Sequence, residues 1–139
     1  MSSIEPKRAL KIIDASAIVE ILFDTLGVRP RIVEALGDSQ ILTPDSAHSE
    51  VLSSLRQLFL KSSFSELQIR NALFEYLEMP IDRADSSDLL VRTLRHIHNV
   101  SAYDALYVAL AEDLGCSLVT TDKRLASAPG INCEVITIA

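Results

Sequence analysis

Along this chain, short apolar runs alternate with longer stretches whose apolar residues recur every three or four positions, as strands alternating with helices do. Leu10 to Ile13 reads as a strand ended by Asp14, and the segment from Ala15 carries helical periodicity as far as Gly27. Arg29-Pro30 opens a second short helix, proline being tolerated in a first turn, and it runs to Gly37. Gln40 to Thr43 is a second strand, stopped by Pro44. Asp45 or Ser46 then caps a helix in which positions 48, 51, 52, 55, 58 and 59 form one stripe, His48 included. Phe64 to Gln68 resembles a hydrophobic staple with a capping box, opening a helix with Leu67, Ile69, Leu73, Phe74 and Leu77 as its structural face. Met79 to Asp82 is a third short strand, and Ser86 or Ser87 begins a helix with Leu89, Leu90, Leu94 and Ile97 inward.

The most apolar helix begins at Ser101. With Asp104 three residues on, Ser101 fits a helix start, because each side chain can reach amides that a first turn leaves unpaired. Nearly every residue from there to Leu114 is apolar, so this helix is buried on most of its circumference, and Gly115 accepts the left-handed backbone that closes it. Cys116 to Thr121 is a short buried strand. Lys123 to Ala126 forms a short helix broken by Pro129-Gly130, and Glu134 to Ile138 is a last strand at a sheet edge. The expected fold is α/β, a three-layer sandwich whose mainly parallel sheet of four to five strands is flanked by helices, with residues 1–139 forming one domain.

Composition narrows the class. Hydrophobic residues make up 48% and charged residues 23%, which suits a globular core. The longest apolar run, Ala105 to Ala111, is far shorter than the roughly 20 residues that span a bilayer. The first eight residues lack an apolar secretory segment, so a cytoplasmic location with no membrane is expected. Cys116 and Cys133 form no Cys-x-x-Cys pair and read as small buried thiols without a disulfide. A net charge of −6 argues against tight non-specific binding to nucleic acid but leaves room for a local basic rim, and an acidic excess is what a cation site would add. Arg92, Arg95, His96 and His98 cluster near a helix end, where basic residues complement the dipole more readily than His-x-His holds a metal.

Candidate chemistry lies in four acids. Asp14 and Asp122 each follow a strand, Asp104 sits in the first turn of the buried helix, and Glu50 lies one turn into the helix after the second strand. Taken singly, Asp14 and Asp122 read as N-caps, Asp104 as part of a capping box and Glu50 as a solvated first-turn glutamate. In a parallel sheet, however, all four positions fall along one rim, where ligands bind outside the carboxyl ends of the strands. Four carboxylates brought together would repel and take up protons unless a divalent cation joined them, and an all-oxygen set suits Mg²⁺ or Mn²⁺ better than zinc.

The order of motifs resembles a family. Ile-Ile-Asp14-Ala-Ser16, Thr-Pro44 with Ser-Glu50-Val-Leu-Ser-Ser-Leu-Arg, Val-Ser-Ala-Tyr-Asp104-Ala-Leu-Tyr-Val-Ala-Leu-Ala-Glu and Leu-Val-Thr-Thr-Asp122-Lys-Arg-Leu-Ala are similar to PIN-domain ribonucleases. Within that superfamily they most resemble the VapC toxins of toxin-antitoxin pairs. The resemblance runs from about residue 10 onward. It implies a Mg²⁺-dependent endoribonuclease, with Mn²⁺ able to substitute, in which metal-activated water attacks a phosphodiester to leave a 5′-phosphate and a 3′-hydroxyl. By position it implies Asp14 and Asp104 as principal metal ligands and Glu50 and Asp122 as ligands directly or through water. Ser16 would assist from behind them, and Arg95, Lys123 and Arg124 would grip RNA phosphates. It further implies a homodimer silenced by a cognate antitoxin, and a structured RNA target such as tRNA or ribosomal RNA. Ser53 departs mildly from the pattern, standing where relatives often carry asparagine or another residue.

Two rivals remain. A phosphate-accepting receiver domain needs paired acids after the first strand and an Asp after a middle one, whereas Asp14 has no acidic neighbour and the middle strand ends in Thr43-Pro44. A catalytically silent PIN-like domain that binds RNA or a partner is the second, and metal binding would separate it from the enzyme.

Overall fold

The computed structural model describes residues 8–139, so the expectation about an absent secretory segment falls, save for Arg8, outside the described residues. Five strands, β1 (Leu10–Ile13), β2 (Gln40–Pro44), β3 (Ile81–Ala84), β4 (Ser117–Thr120) and β5 (Val135–Thr137), form one parallel sheet in the order β3-β2-β1-β4-β5. The central strands are buried on both faces and therefore apolar without alternation. Ile13 and Val119 point to one face, and Ile12 and Leu118, their neighbours in register, to the other. The first face is covered by α1 (Ala15–Phe23), α2 (Arg29–Leu36), α3 (Ala47–Leu60) and α4 (Glu66–Glu78), the second by α5 (Ala102–Leu114) and α6 (Lys123–Ala126). The fold is thus α/β with helices on both sides of a parallel sheet. Among the described residues no helix is long and apolar enough to cross a membrane.

In α5 Tyr107, Val108 and Ala111 are fully buried, each large apolar side chain contributing roughly 1.5–3 kcal/mol. Ser101 Oγ accepts the Asp104 N–H at 3.1 Å, and Gly115 ends the helix at φ 63°. The capping box of α4 forms in full, Ser65 and Gln68 each bonding the other's backbone amide. Cys116 and Cys133 are free and half-buried, and burial, with the charge of Glu112, pushes the Cys133 thiol up to about 11.

Several elements differ from the sequence expectation. Helix α1 stops at Phe23, not Gly27, because Asp24 takes left-handed backbone (φ 49°) and buried Glu20 accepts the Thr25 hydroxyl and the Leu26 N–H. Strand β2 continues through Pro44, which pairs with Ala84. Strand β3 begins two residues later than expected because α4 runs to Glu78 and Met79-Pro80 make the turn. Neither Asp45 nor Ser46 caps α3 through its side chain; Asp45 instead accepts the Ser86 hydroxyl at 2.6 Å. The stripe of α3 is narrower than expected: Ala47, Val51 and Leu55 are buried, while Leu52 and Phe59 are exposed. Helix α4 buries Ala72 and Tyr76 and exposes Leu67, Phe74 and Leu77, since the Tyr76 hydroxyl meets His48 Nδ1 at 2.9 Å and its ring lies under Arg83.

The largest difference lies between β3 and α5. No α-helix forms there; two 3₁₀ helices do, Ser87–Leu89 and Arg92–His96. Their three-residue period turns Leu89 and His96 inward and leaves Leu90, Leu94 and Ile97 outside. His96 Nε2 lies 2.7 Å from Glu112 of α5, so the His-x-His segment holds the chain to that helix rather than a metal, and His98 is exposed.

Candidate functional site

Because β2 and β4 flank β1 on opposite sides, the sheet changes direction between β1 and β4, and a crevice opens outside their carboxyl ends. Asp14 stands at that point. Its N–H donates to Val119 O of β4 at 3.1 Å, which fixes the backbone as it leaves the sheet. Its Oδ1 accepts the Ala17 N–H at 3.0 Å, so the N-cap expectation holds, but Oδ1 also accepts the Ser16 hydroxyl at 2.6 Å and Oδ2 accepts the Thr120 hydroxyl. The residue is 4% exposed, and burial outweighs these donors, pushing its pKa from 3.8 up to about 6; the charge of Asp104 adds a smaller push. A cap needs neither this burial nor the two hydroxyls.

Glu50 enters from the first turn of α3, half-buried. Burial first, then the charges of Asp14 and Asp104, push its carboxyl up to about 7, with the facing Tyr107 hydroxyl pulling the other way. Even so, Glu50 Oε1 and the Tyr107 hydroxyl are each buried without a hydrogen bond of regular geometry. Burial and the charge of Glu50 hold the Tyr107 hydroxyl well above the usual tyrosine range, so it stays protonated and can donate.

Asp104 is also raised, by burial ahead of the charge of Asp122, while the Ser101 hydroxyl and Arg124 pull it down. The reciprocal capping bond from the Ser101 N–H to the Asp104 carboxylate is not made among the described residues, so no backbone amide of the cap holds this carboxylate. Asp122 differs from the other three. It caps α6 through the Arg124 N–H at 2.9 Å, and the Arg124 guanidinium lies against it at 3.2 and 3.3 Å, which holds it below the usual carboxylate range. Its own N–H donates to Thr120 Oγ1 at 3.0 Å.

Asp14, Glu50 and Asp104 therefore feel one another's charge, and Asp122 joins through Asp104, with which it lines a cleft containing Asn99, Ser101 and Arg124. Of the expected RNA contacts only Arg124 borders this cleft. Lys123 and Arg95 are exposed and do not line it. Two residues missed in the sequence belong here. Thr120 is a fully buried polar residue ending an apolar strand, and Tyr107 lies one turn beyond Asp104 with the polar tip of an otherwise apolar helix; a hydroxyl in an apolar element is the signal each carries, without showing which acid it acts on.

The donor set fits a small hard cation. All candidate ligands are oxygen, one carboxylate oxygen of Glu50 is buried with no partner, and three acids raise or are raised by their neighbours as uncompensated carboxylates are. Among the described residues no three His, Cys, Asp or Glu side chains are drawn tightly enough together to enclose an ion. The fit thus lies in charge and donor chemistry.

Comparison with known proteins places residues 11–131 within a family model described as PIN domain. Ribonuclease VapC1 of Mycobacterium tuberculosis is 38% identical over 130 residues, covering 89% of this chain and 94% of the relative. Ribonuclease VapC12 of the same species is 32% identical over 130 residues, covering 92% and 98%. Among solved structures, VapBC2 from Rickettsia felis bound to a promoter DNA fragment superposes with a TM-score of 0.61 at 17% identity, covering 94% of this chain and 99% of that one. M. tuberculosis VapC20, described as a sarcin-ricin loop cleaving toxin, gives 0.63 at 15% identity, covering 84% and 93%.

Proposed function

Since the chain belongs to the PIN-domain family, we infer that it is a divalent-metal-dependent endoribonuclease of the VapC toxin type, one domain over residues 1–139 acting in the cytoplasm. The observation that carries this is Asp14: a buried carboxylate at the crevice of a parallel sheet, held by three donors, close enough to Glu50 and Asp104 for their charges to act on one another. Asp14 and Asp104 would be the principal ligands of Mg²⁺ or Mn²⁺, with Glu50 and Asp122 completing the set directly or through water. Such an ion, when bound, supplies a water of lowered pKa and neutralises charge developing on the phosphate.

The chain's own groups do the rest. Ser16, Thr120 and the Ala17 N–H fix both oxygens of Asp14, so that the carboxylate keeps one orientation. Tyr107 O–H faces Glu50 and limits where that carboxylate can point. Arg124, anchored by Asp122 on the rim, offers its outer N–H groups to a phosphate of the RNA backbone, and Lys123 and Arg95 contribute charge farther out. With a net charge of −6, the protein gains little from general attraction to RNA, which favours a structured target such as tRNA or ribosomal RNA. The exposed Leu67, Phe74 and Leu77 of α4 and Leu90, Val91, Leu94 and Ile97 beside α5 are surface that a homodimer and a cognate antitoxin would cover.

Incubating the purified chain with total RNA in Mg²⁺ and sequencing the new 5′ ends tests this. Cleavage leaving 5′-phosphates, abolished by EDTA and in Asp14→Asn, is expected; cleavage unaffected by either would overturn the assignment. The absence of an enclosed three-acid cluster among the described residues favours one second reading, a silent RNA- or partner-binding domain. RNA binding without metal uptake by calorimetry would select it.

A further inference from the structure

The chain has three tyrosines and no tryptophan. Tyr76 and Tyr107 are buried, but Tyr103 is 60% exposed, immediately before Asp104 in the first turn of α5. An exposed ring at that place does no work for the core. It forms one wall of a second cleft whose other wall is a single face of α3, Ser49, Glu50, Ser53 and Ser54. Ser49 and Ser53, and Glu50 and Ser54, are four residues apart and so stand as two adjacent rows on the helix surface. Glu50 belongs to both this cleft and the acidic cluster, so the cleft begins where the cluster ends.

The lining decides what would fit. Among the described residues no Lys, Arg or His side chain borders this cleft, and Glu50 does. A backbone phosphate is disfavoured there. A nucleobase is not charged; it needs a flat apolar surface to stack on and small groups that donate or accept at its edge. Tyr103 supplies the first, and the hydroxyls of Ser49, Ser53 and Ser54 supply the second. The cleft lined by Asp104 and Asp122 has the complementary lining, with Arg124, Asn99 and Ser101 suited to backbone.

We propose that Tyr103 and the serines of α3 form a base-binding subsite for one unpaired nucleotide next to the phosphodiester that is cut. This rests on the ribonuclease reading and adds to it a requirement for a single-stranded, unstacked nucleotide at a fixed position. In an acidic protein, stacking supplies affinity that long-range charge does not. Ser53, in the middle of the α3 wall, then reads the base edge.

The test uses the full chain carrying Asp14→Asn, so that RNA stays intact, with a labelled single-stranded oligoribonucleotide in Mg²⁺. Tyr103→Leu is expected to weaken binding roughly tenfold, the scale of one lost base stack, without changing the salt dependence, because no phosphate contact is removed. Tyr103→Phe and Tyr103→Trp retain binding, and the introduced tryptophan loses fluorescence when RNA binds. An abasic nucleotide walked along the oligonucleotide weakens binding at one position for the Tyr103 protein and at none for Tyr103→Leu. Equal affinity of the Tyr103 and Leu proteins for RNA overturns the subsite and leaves the ribonuclease reading standing; if Tyr103→Leu instead loses only affinity for a partner protein, the ring serves that contact. No RNA binding by the Asp14→Asn protein, together with no cleavage by the wild type, overturns both.

Discussion

Replacing Asp14 by asparagine separates the cost of a buried charge from the value of a helix cap. Asparagine preserves the shape: its oxygen still accepts the Ala17 N–H and the Ser16 hydroxyl, and its amide faces Thr120, whose hydroxyl can turn to accept. Only the ionisation is lost. An acid whose folded-state pKa lies above its unfolded value binds its proton more firmly in the native chain, so its contribution is fully present below the unfolded pKa and is lost as pH rises through the folded one. For Asp14 that window runs from 3.8 to about 6, and at pH 8 the native state has lost on the order of 3 kcal/mol relative to a group that cannot ionise. Glu50, raised to about 7 partly by the Asp14 charge, changes in the same direction. Metal-free Asp14→Asn should lie close to wild type near pH 4, gain on it as pH rises from 4 to 6, and level off at about 3 kcal/mol above pH 7. For a chain of this size that corresponds to roughly 10 °C in Tm. Urea unfolding in EDTA between pH 4 and 8.5, followed by circular dichroism, measures it. A constant offset at every pH, or a variant weaker than wild type at pH 8, would refute the reasoning and leave Asp14 as a cap.

Other outcomes follow from the same geometry. Mg²⁺ should stabilise wild type by about 2.7 kcal/mol at a hundred times its Kd and leave Asp14→Asn unmoved, as the shift of thermal melts with and without the ion will show. Asp104→Asn should abolish RNA cleavage while leaving metal-free stability equal or higher, whereas Ser101→Ala should cost ~1 kcal/mol because it removes the hydroxyl that caps α5. Thr120→Val removes the donor to Asp14 Oδ2, so the Asp14 carboxyl, followed by carbon-detected NMR titration, should titrate at a higher pH than in wild type and cleavage should slow.

Much of this fold was legible because its signals are local. The strand β1, the start of α5 at Ser101, the glycine that ends it and the capping box at Ser65 each rest on residues a few positions apart. What was not legible depended on tertiary contacts. The segment holding Leu90, Leu94 and Ile97 has apolar residues at helical spacing, yet the His96 pair with Glu112, sixteen positions away, fixes it as 3₁₀ helices facing the other way. Phe74 and Leu77 looked like core, but α4 is oriented by Tyr76, which bonds His48 and lies under Arg83. At the site, the positions of Asp14, Glu50, Asp104 and Asp122 could be read from strand ends and helix starts. The roles of Thr120 and Tyr107 could not, since each acts on an acid from a different element. The pairing of Arg124 with Asp122 likewise sets that acid apart from its three neighbours.

Titrating Mn²⁺ into the metal-free chain and reading bound ion by electron paramagnetic resonance tests most directly whether these acids share a cation. Wild type should take up Mn²⁺ saturably and release it to Mg²⁺, while Asp14→Asn and Asp104→Asn lose that uptake. Equal uptake by the variants, or none by wild type at millimolar metal, would contradict the account.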